Sequence, residues 1–460
     1  MVKTYVLDTN VLVQAPHALT SFEDNTIILP LAVLEELDGL KNADGERGRN
    51  ARQAIRMLEA LRLTGDMARG IPLPAGGQLR LESNHAHITL PSGMNPSSAD
   101  SRVLKVCKGL MDQGTQVVLV TKDIVVRIKA QMMGIPAEDF TTDQAEEDTL
   151  QYTGRAEAYM ADSQMASFKR SGVKLKDVYQ LGENHEKLPV EAVENQFFTL
   201  RSDLSERKTL LGRYNKGKIT PLSSLNDRPF GVKARNVGQR FLQEALLLDP
   251  ALAPLVLVKG AAGTAKTFYA MAAGLEMVLE QRLYRKILVC RPNAQFDEDI
   301  GFLPGNEQEK ISPLMRPIID NLEILFERED ENKKDRKSKE TAESDLKSRI
   351  DYLFDTGVIV AEAMNFMRGR SIKNTYLVID EAQNLSPRQV KGIITRVGEG
   401  TKVILLGDPA QIDHPMLDAR TNGLSYASDR MKGSPLCVQL TMLADECERS
   451  ALALDAAKRM

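Results

Sequence analysis

Four short apolar runs in this chain each close on an aspartate: YVLD at 5–8, QVVLVTKD at 116–123, TYLVID at 375–380 and KVILLGD at 402–408. Each run is too short for a helix and lacks the alternation of a half-solvated strand. They read as strands buried on both faces. Helical stretches stand between them, and strands alternating with helices give mostly parallel sheets. Ligands of such sheets sit beyond the carboxyl ends of the strands. An acid at that edge has little structural reason to be there. The expected fold class is α/β.

At 460 residues the chain is long enough for two or three domains with separate cores. Residues 1–140 give a compact α/β pattern, with strands at 4–7, 25–30 and 115–120 and helices at 31–41 and 50–63. Residues 141–230 are polar and carry the turns NKGKIT and NDRPFG, and read as a connector with a small β-rich module. Residues 231–460 give a second α/β pattern, with a helix at 237–248, a strand at 255–258, a helix at 266–280 and strands at 286–290, 375–380 and 402–408. The mixed-charge run EREDENKKDRKSKE at 327–340 reads as a solvated helix tip or insertion.

A formal net charge of -3 excludes a generic polycation, so any nucleic-acid contact must come from local patches. Cys107, Cys290, Cys437 and Cys447 lack paired ligand spacing, and with five histidines a zinc site is not expected. Few cysteines, no leader-like start and no run near the about 18 apolar residues of a membrane span predict a cytoplasmic protein without a membrane partner.

Directly after the strand LVLV, residues 260–267 read GAAGTAKT. A glycine, four free positions and then Gly-Lys-Ser/Thr make a loop that wraps phosphates on backbone N–H groups. Gly260, Ala261, Ala262, Gly263, Thr264, Ala265, Lys266 and Thr267 fill that pattern, with Ala265 where the last glycine belongs. Lys266 would reach the β- and γ-phosphates and Thr267 would hold magnesium. A Cβ at 265 could strain the cradle. The loop is similar to the GTAKS form of MCM-type replicative helicases, which hydrolyse ATP with alanine there. Asp380 and Glu381 end the strand at 375–380, one suited to a magnesium shell and one to polarising water; capping of the next helix is the rival reading. Gln411, in LLGDPAQID, could sense the γ-phosphate or simply occupy a turn.

At the N-terminal end, Asp8 and Asp123 follow core strands, Glu35 and Glu36 lie early in the helix after TIILP, and Asp100 opens DSRVLKVCK. Four carboxylates can hold one or two hard cations such as magnesium or manganese and activate water against a phosphodiester. Each could instead cap a helix or sit on the surface, Asp100 above all.

KGAAGTAKTFYAMAAGLE, CRPNAQFDEDIGFLPGNEQEKISPLMRP, MRGRSIKNTYLVIDEAQN and VILLGDPAQID together resemble the PhoH-like family of ATPases, relatives of superfamily 1 helicases. The resemblance spans about 231–455, and its GFLPG (301–305) and RGR (368–370) blocks are more diagnostic than the loop itself. It implies a P-loop NTPase fold with a mostly parallel sheet, ATP as cofactor, Gln239 at adenine and Arg449 as a charge-stabilising arginine from a neighbouring subunit. It also implies a homo-oligomer, commonly a hexameric ring. Arg291, Arg368 and Arg370 are candidates for phosphate or RNA contacts, with pairing to helix acids as the rival. YVLDTNVLV, LPLAVLEELDGLK, NPSSADSRVL and VLVTKDIVVRIKA resemble the PIN-domain nucleases. That resemblance implies an α/β/α sandwich and a metal site of Asp8, Glu36 and Asp100 closed by Asp123. Asn10 and Thr121 would orient the ligands, with Glu35 pointing elsewhere, and the substrate would be single-stranded or partly structured RNA. The expected protein couples an ATP-driven RNA motor to a metal-dependent ribonuclease; its rival is a regulatory or assembly ATPase whose first domain binds without cleaving.

Overall fold

The computed structural model describes residues 3–43, 45–74, 76–140, 152–182, 184–205, 207–222, 228–292, 307–333, 339–362, 372–414 and 417–447. The chain divides into two compact units, Met1–Asp143 and, apart from a short stretch outside the described residues, Gln144–Met460.

In the first unit the strands are β1 (Thr4–Leu7), β2 (Thr26–Pro30), β3 (Ile71–Pro72), β4 (Gln78–Glu82), β5 (Val117–Val120) and β6 (Ala137–Glu138). They form one sheet in the order β3-β4-β2-β1-β5-β6, parallel except for the β3–β4 pair. Helices α1 (Thr9–Gln14), α2 (Leu31–Leu40), α3 (Gly45–Arg62), α4 (Ala99–Asp112) and α5 (Ile124–Met132) connect or flank them. β1 is central, with Val6 opposite Ile28 on one side and Leu119 on the other. Its carboxyl end is therefore deep in the sheet edge rather than at a corner. Strand gives way to helix at Asp8, whose extended backbone and carboxylate cap the N–H of Thr9.

The second unit has two parts. Strands β7 (Arg155–Met160), β8 (Val173–Lys174), β9 (Val178–Leu181), β10 (Lys187–Pro189), β11 (Phe197–Ser202), β12 (Thr209–Asn215) and β13 (Lys218–Pro221), with helix α6 (Asp162–Ser171), make a seven-stranded sheet in the order β10-β9-β7-β11-β12-β13-β8. Only β7 and β11 run parallel in it. Phe168, Phe198, Leu200 and Ile219 fill its core. The stretch 155–221, polar in sequence, is thus folded with a core of its own.

The other part is a six-stranded, wholly parallel sheet. Its strands are β14 (Leu255–Lys259), β15 (Lys286–Cys290), β16 (Ile359–Ala361), β17 (Thr375–Ile379), β18 (Lys402–Gly407) and β19 (Cys437–Thr441), in the order β16-β15-β17-β18-β14-β19. Every residue of β14, β17 and β18 is buried, as parallel strands covered on both faces require. Helices α7 (Val237–Leu247), α8 (Lys266–Leu275), α9 (Glu307–Lys333), α10 (Lys339–Asp355), α11 (Pro387–Ile394) and α12 (Gly423–Arg430) accompany it. The buried ammonium of Lys402 donates to Ala245 O (2.9 Å) and Leu248 O (2.6 Å), closing the carboxyl end of α7; burial brings its pKa down to about 7. α8 ends earlier than the sequence suggests, the last turn of the expected 266–280 helix widening to π geometry at Glu276–Glu280.

Residues 152–154 lie along the outer edge of β19, where Thr441 N donates to Thr153 O (2.7 Å). Gly154 has φ 75°, and a Cβ there would sit 1.9 Å from Gln439 O, so only glycine fits. Asn195 donates to Pro435 O and Cys437 O at 3.0 Å, and Phe197 stacks on Phe241 with centroids 4.8 Å apart. The centre of this contact is Glu446. Its carboxylate accepts from Arg155 (2.8 Å to each oxygen), Gly238 N (2.8 Å) and Leu443 N (3.0 Å). Both members of the ion pair are buried, with 15% and 8% of their side chains exposed. Removing one partner of such a pair strands the other charge. Arg155→Ala is expected to lower the stability of the second unit by roughly 3 kcal/mol, read as an earlier urea midpoint by circular dichroism. An unchanged midpoint would show that the contact contributes nothing.

Candidate active sites

The N-terminal site is built around Asp8, 4% exposed. Its Oδ1 accepts from Thr9 N (2.7 Å); its Oδ2 accepts from Asn10 Nδ2 (2.8 Å) and the Thr121 hydroxyl (2.6 Å). Asn10 is fixed in turn by Thr121 Oγ1 (3.0 Å) and by the N–H of Lys122 on its own Oδ1 (3.0 Å). The Thr9 hydroxyl donates to Glu36, which brings α2 to the same place. Burial raises the Asp8 pKa from its ordinary 3.8 to about 6, against the hydrogen bonds from Thr121 and Thr9, and the charges of Asp100 and Glu36 add to the rise. The charges of Glu36 on α2 and Asp100 on α4 therefore reach Asp8 at the end of β1.

The remaining acids divide. Glu35 is turned away and pairs with Arg102. Asp100 pairs with Lys129 at 2.9 Å and caps nothing, because Ser98 caps α4. The capping role falls instead on Asp123, which is exposed and accepts from Val125 N (2.7 Å) and Val126 N (3.4 Å). Among the described residues no three His, Cys, Asp or Glu side chains lie close enough together to hold a metal ion. The donor chemistry still fits a hard divalent cation: all-oxygen ligands, with one carboxyl held buried beside two like charges.

In the second unit, the loop after β14 has Gly260 at φ 155°, Gly263 at φ 82° and Ala265 at φ 61°. A Cβ on Gly260 would meet that of Met442 at 2.8 Å. Ala265 occupies the left-handed backbone region that glycine ordinarily supplies, at a cost of roughly 1 kcal/mol. The alanine accepts the glycine conformation and does not redirect the chain. Lys266 lies over its own loop, donating to Gly260 O (2.6 Å) and Ala261 O (3.0 Å). Burial lowers its pKa, opposed by Asp408, Asp380 and Glu381. Thr267 donates to Asp380 Oδ1 (3.0 Å), and burial followed by the Glu381 charge raises the Asp380 pKa.

Glu381 also has left-handed backbone, φ 55°, so two non-glycine residues of one site carry this strain. Its carboxylate is held by Arg291 (2.9 Å) and Gln383 (2.7 Å). Arg291, read as a phosphate or RNA candidate, is here the ion-pair partner of a site acid. Sequence reasoning assigned nothing to Gln383 and gave Asp408, though it closes an apolar run, no role. The fully buried Gln383 donates to Gln411 O (2.8 Å) and accepts from Asp408 N (3.1 Å), tying three loops together. Asp408 was findable, since it ends β18 as Asp380 ends β17. The Gln411 side chain is exposed. Gln239 is fully buried, its oxygen accepting from Arg235 N (2.8 Å) and the Tyr269 hydroxyl (2.7 Å). Cys447 rests its thiol on Ala262 O at 3.5 Å. Arg368, Arg370, Arg449 and the GFLPG block lie outside the described residues.

A parallel sheet with a phosphate loop and acids at neighbouring strand ends defines a P-loop NTPase. Residues 231–459 match the PhoH-like protein family, and residues 5–141 match the PIN domain. Protein PhoH2 of Bacillus subtilis (strain 168) is 39% identical over 463 residues, covering 98% of each chain. Protein PhoH2 of Mycolicibacterium smegmatis is 33% identical over 457 residues, covering 98% of this chain and 95% of its own. The chain belongs to the PhoH family, in the form that carries an N-terminal PIN domain. No described helix is long and apolar enough to cross a membrane.

The raised Asp8 pKa fixes a sign. Because the native value exceeds the unfolded one, this group favours the metal-free fold below about pH 4, and the advantage is lost as pH rises through about 6. The rise from 3.8 to about 6 corresponds to about 3 kcal/mol. In EDTA, Asp8→Asn should gain about that much stability relative to the parent protein between pH 4 and pH 7, and manganese should favour the parent again. Parallel pH profiles in thermal unfolding would exclude it.

The loop supports a second expectation. Since Ala265 already takes the glycine conformation, Ala265→Gly should raise hydrolysis modestly and change ATP affinity less than about five-fold. Lys266→Ala should abolish hydrolysis. Calorimetric titration beside phosphate release tests both, and failure of the parent protein to bind ATP would reject the site.

Proposed function

We propose that the protein is an ATP-dependent RNA-remodelling or unwinding enzyme coupled to a divalent-metal-dependent ribonuclease. The observation that carries the reading is one chain with two sites at carboxyl strand ends. One is the Lys266, Thr267, Asp380 and Glu381 group after β14 and β17; the other is Asp8, whose carboxyl feels the charges of Glu36 and Asp100. Thr267 and Asp380 would hold magnesium beside the phosphates. Lys266, released from its loop carbonyls, would meet the β- and γ-phosphate charge. Glu381, steadied by Arg291 and Gln383, would orient the attacking water. Gln411 and Arg449 complete the γ-phosphate surroundings in this reading, with Arg449 coming from a neighbouring subunit of a ring, and Gln239 standing toward adenine.

At the other site Asp8, Glu36 and Asp100, joined by Asp123, would hold magnesium or manganese. A bound divalent ion supplies an acidified water and charge stabilisation on the phosphodiester. Asn10 and Thr121 keep the Asp8 carboxylate aimed, and Lys129 would have to yield Asp100 to the cation. That ion pair, with the capping role of Asp123, favours a second reading in which the first unit binds RNA or a protein partner without cutting.

The test uses labelled single-stranded RNA and a duplex with a single-stranded tail. Magnesium-dependent ATP hydrolysis stimulated by RNA is expected. Cleavage should be lost in Asp8→Asn and kept on single strands in Lys266→Ala, which should lose only the ATP-dependent gain on the tailed duplex. Intact RNA with both parent protein and Asp8→Asn would leave the second reading. An ATP-independent duplex-to-single-strand ratio would reject coupling.

A further inference from the structure

We propose that the seven-stranded sheet of the second unit carries a binding surface for single-stranded RNA, built from residues other than those of the phosphate loop. The inference deepens the proposed function and rests on RNA being its substrate. Four adjacent strands place Pro189, Tyr179, Tyr159 and Arg201 directly opposite one another in a single row. Residues paired in this way project from the same face. The two tyrosine rings stack with centroids 5.9 Å apart at 22°, and both are part-exposed. Lys187 stands over the Tyr179 ring, its ammonium 4.1 Å from the centroid. Arg201 ends the row, bidentate on the exposed Glu157 at 2.8 and 2.9 Å.

Pro189 also lines a cavity of about 560 Å³ at the seam between β8 and β9. Leu175, Val178 and Val190 line it with apolar surface, and Lys174, Lys176 and Gly217 complete its wall. Lys218 is the register partner of Lys174, and Lys216 precedes Gly217 in the turn. All four lysines are exposed, and none of them has an ion-pair partner among the described residues. Asp177, Glu191 and Glu194 are acids of the same segments, the last accepting from the backbone N–H of Lys216. In a chain of net charge -3, four lysines without an ion-pair partner among the described residues thus stand around one seam.

Single-stranded nucleic acid needs this combination: π-faces for bases and cations for the phosphates between them. An acidic peptide would use the lysines but has no need of a registered tyrosine pair. The row would take stacked bases, and the seam lysines the backbone that continues past Pro189. Cross-strand aromatic pairs also stabilise sheets, but that role explains neither the overlying Lys187 nor the adjoining unpaired lysines.

The experiment measures binding of fluorescein-labelled oligouridylate to the full chain by anisotropy across a salt series. Lys174→Ala/Lys176→Ala/Lys218→Ala should weaken binding roughly ten-fold and reduce the slope of log K against log salt by about 2, with an unchanged unfolding midpoint. Tyr159→Leu/Tyr179→Leu should weaken binding roughly ten-fold with little change in slope. Because the tyrosine variant could perturb the sheet, ultraviolet cross-linking of the parent protein provides a second readout. Cross-links on peptides containing Tyr159 or Tyr179 support the surface. Parent-like affinity and slope in the lysine variant, or cross-links confined to other regions, overturn it while leaving the proposed function standing. Loss of binding to a glutamate-rich peptide but not to RNA in that variant assigns the seam to a protein partner and also overturns it. Absence of any RNA binding by the parent protein rejects the functional reading itself.

Discussion

The register of the parallel sheet in the second unit is the constraint on which its nucleotide site depends. Lys259 at the end of β14 pairs with Gly407 at the end of β18, and Leu405 of β18 pairs with Ile379 at the end of β17. Three consecutive strands therefore release their chains at nearly one level. The phosphate loop, Asp408 and Asp380 all emerge along that edge. The Thr267–Asp380 hydrogen bond can then span from α8 to β17 across the intervening strand. A slip of one residue would turn the side chains of a strand to the opposite face and separate these groups. Full burial of β14, β17 and β18 prevents the slip, because every side chain already has a packed environment.

Both sites hold carboxyl groups where burial disfavours their charge. Asp8 and Asp380 have raised pKa values, burial being the largest cause and neighbouring acids adding to it. In a metal-free fold this is destabilising electrostatics, tolerated because hydrogen-bond donors are fixed on the same oxygens. Thr121, Asn10 and Thr9 do so for Asp8, and Thr267 does so for Asp380. Cations relieve such a site more than they would a solvated one. Backbone strain is gathered in the same place, with Ala265 and Glu381 both left-handed within the nucleotide site. The Gly154 approach and the buried Arg155–Glu446 pair supply rigid contacts beside it. Glu446 holds Gly238 at the start of α7, while the adjacent Cys447 touches the loop at Ala262.

Much of this was legible in the sequence. β1, β2, β5, β14, β15, β17 and β18 followed from apolar runs, whereas β3, β4, β6, β16 and β19 did not, and the loop, Lys266, Thr267 and the acids at 380 and 381 followed from their spacing. The PIN and PhoH-like resemblances were carried by blocks of residues, and the family matches span the same two regions. Tertiary structure decided the occupation of each polar group. Sequence could not tell that Ser98 rather than Asp100 caps α4, that Asp123 caps α5, or that Arg291 pairs with Glu381. Nor could it reveal Gln383 as the tie between loops, or the core of the sheet at 155–221, where β7, β12 and β13 are largely half-solvated. Periodicity and motif spacing are local and survive in one dimension, so the chain determined its strands, its phosphate loop and its acids. Hydrogen-bond and ion-pair partners here lie as many as 291 residues apart, and only packing selects among the many acceptors within reach of each donor.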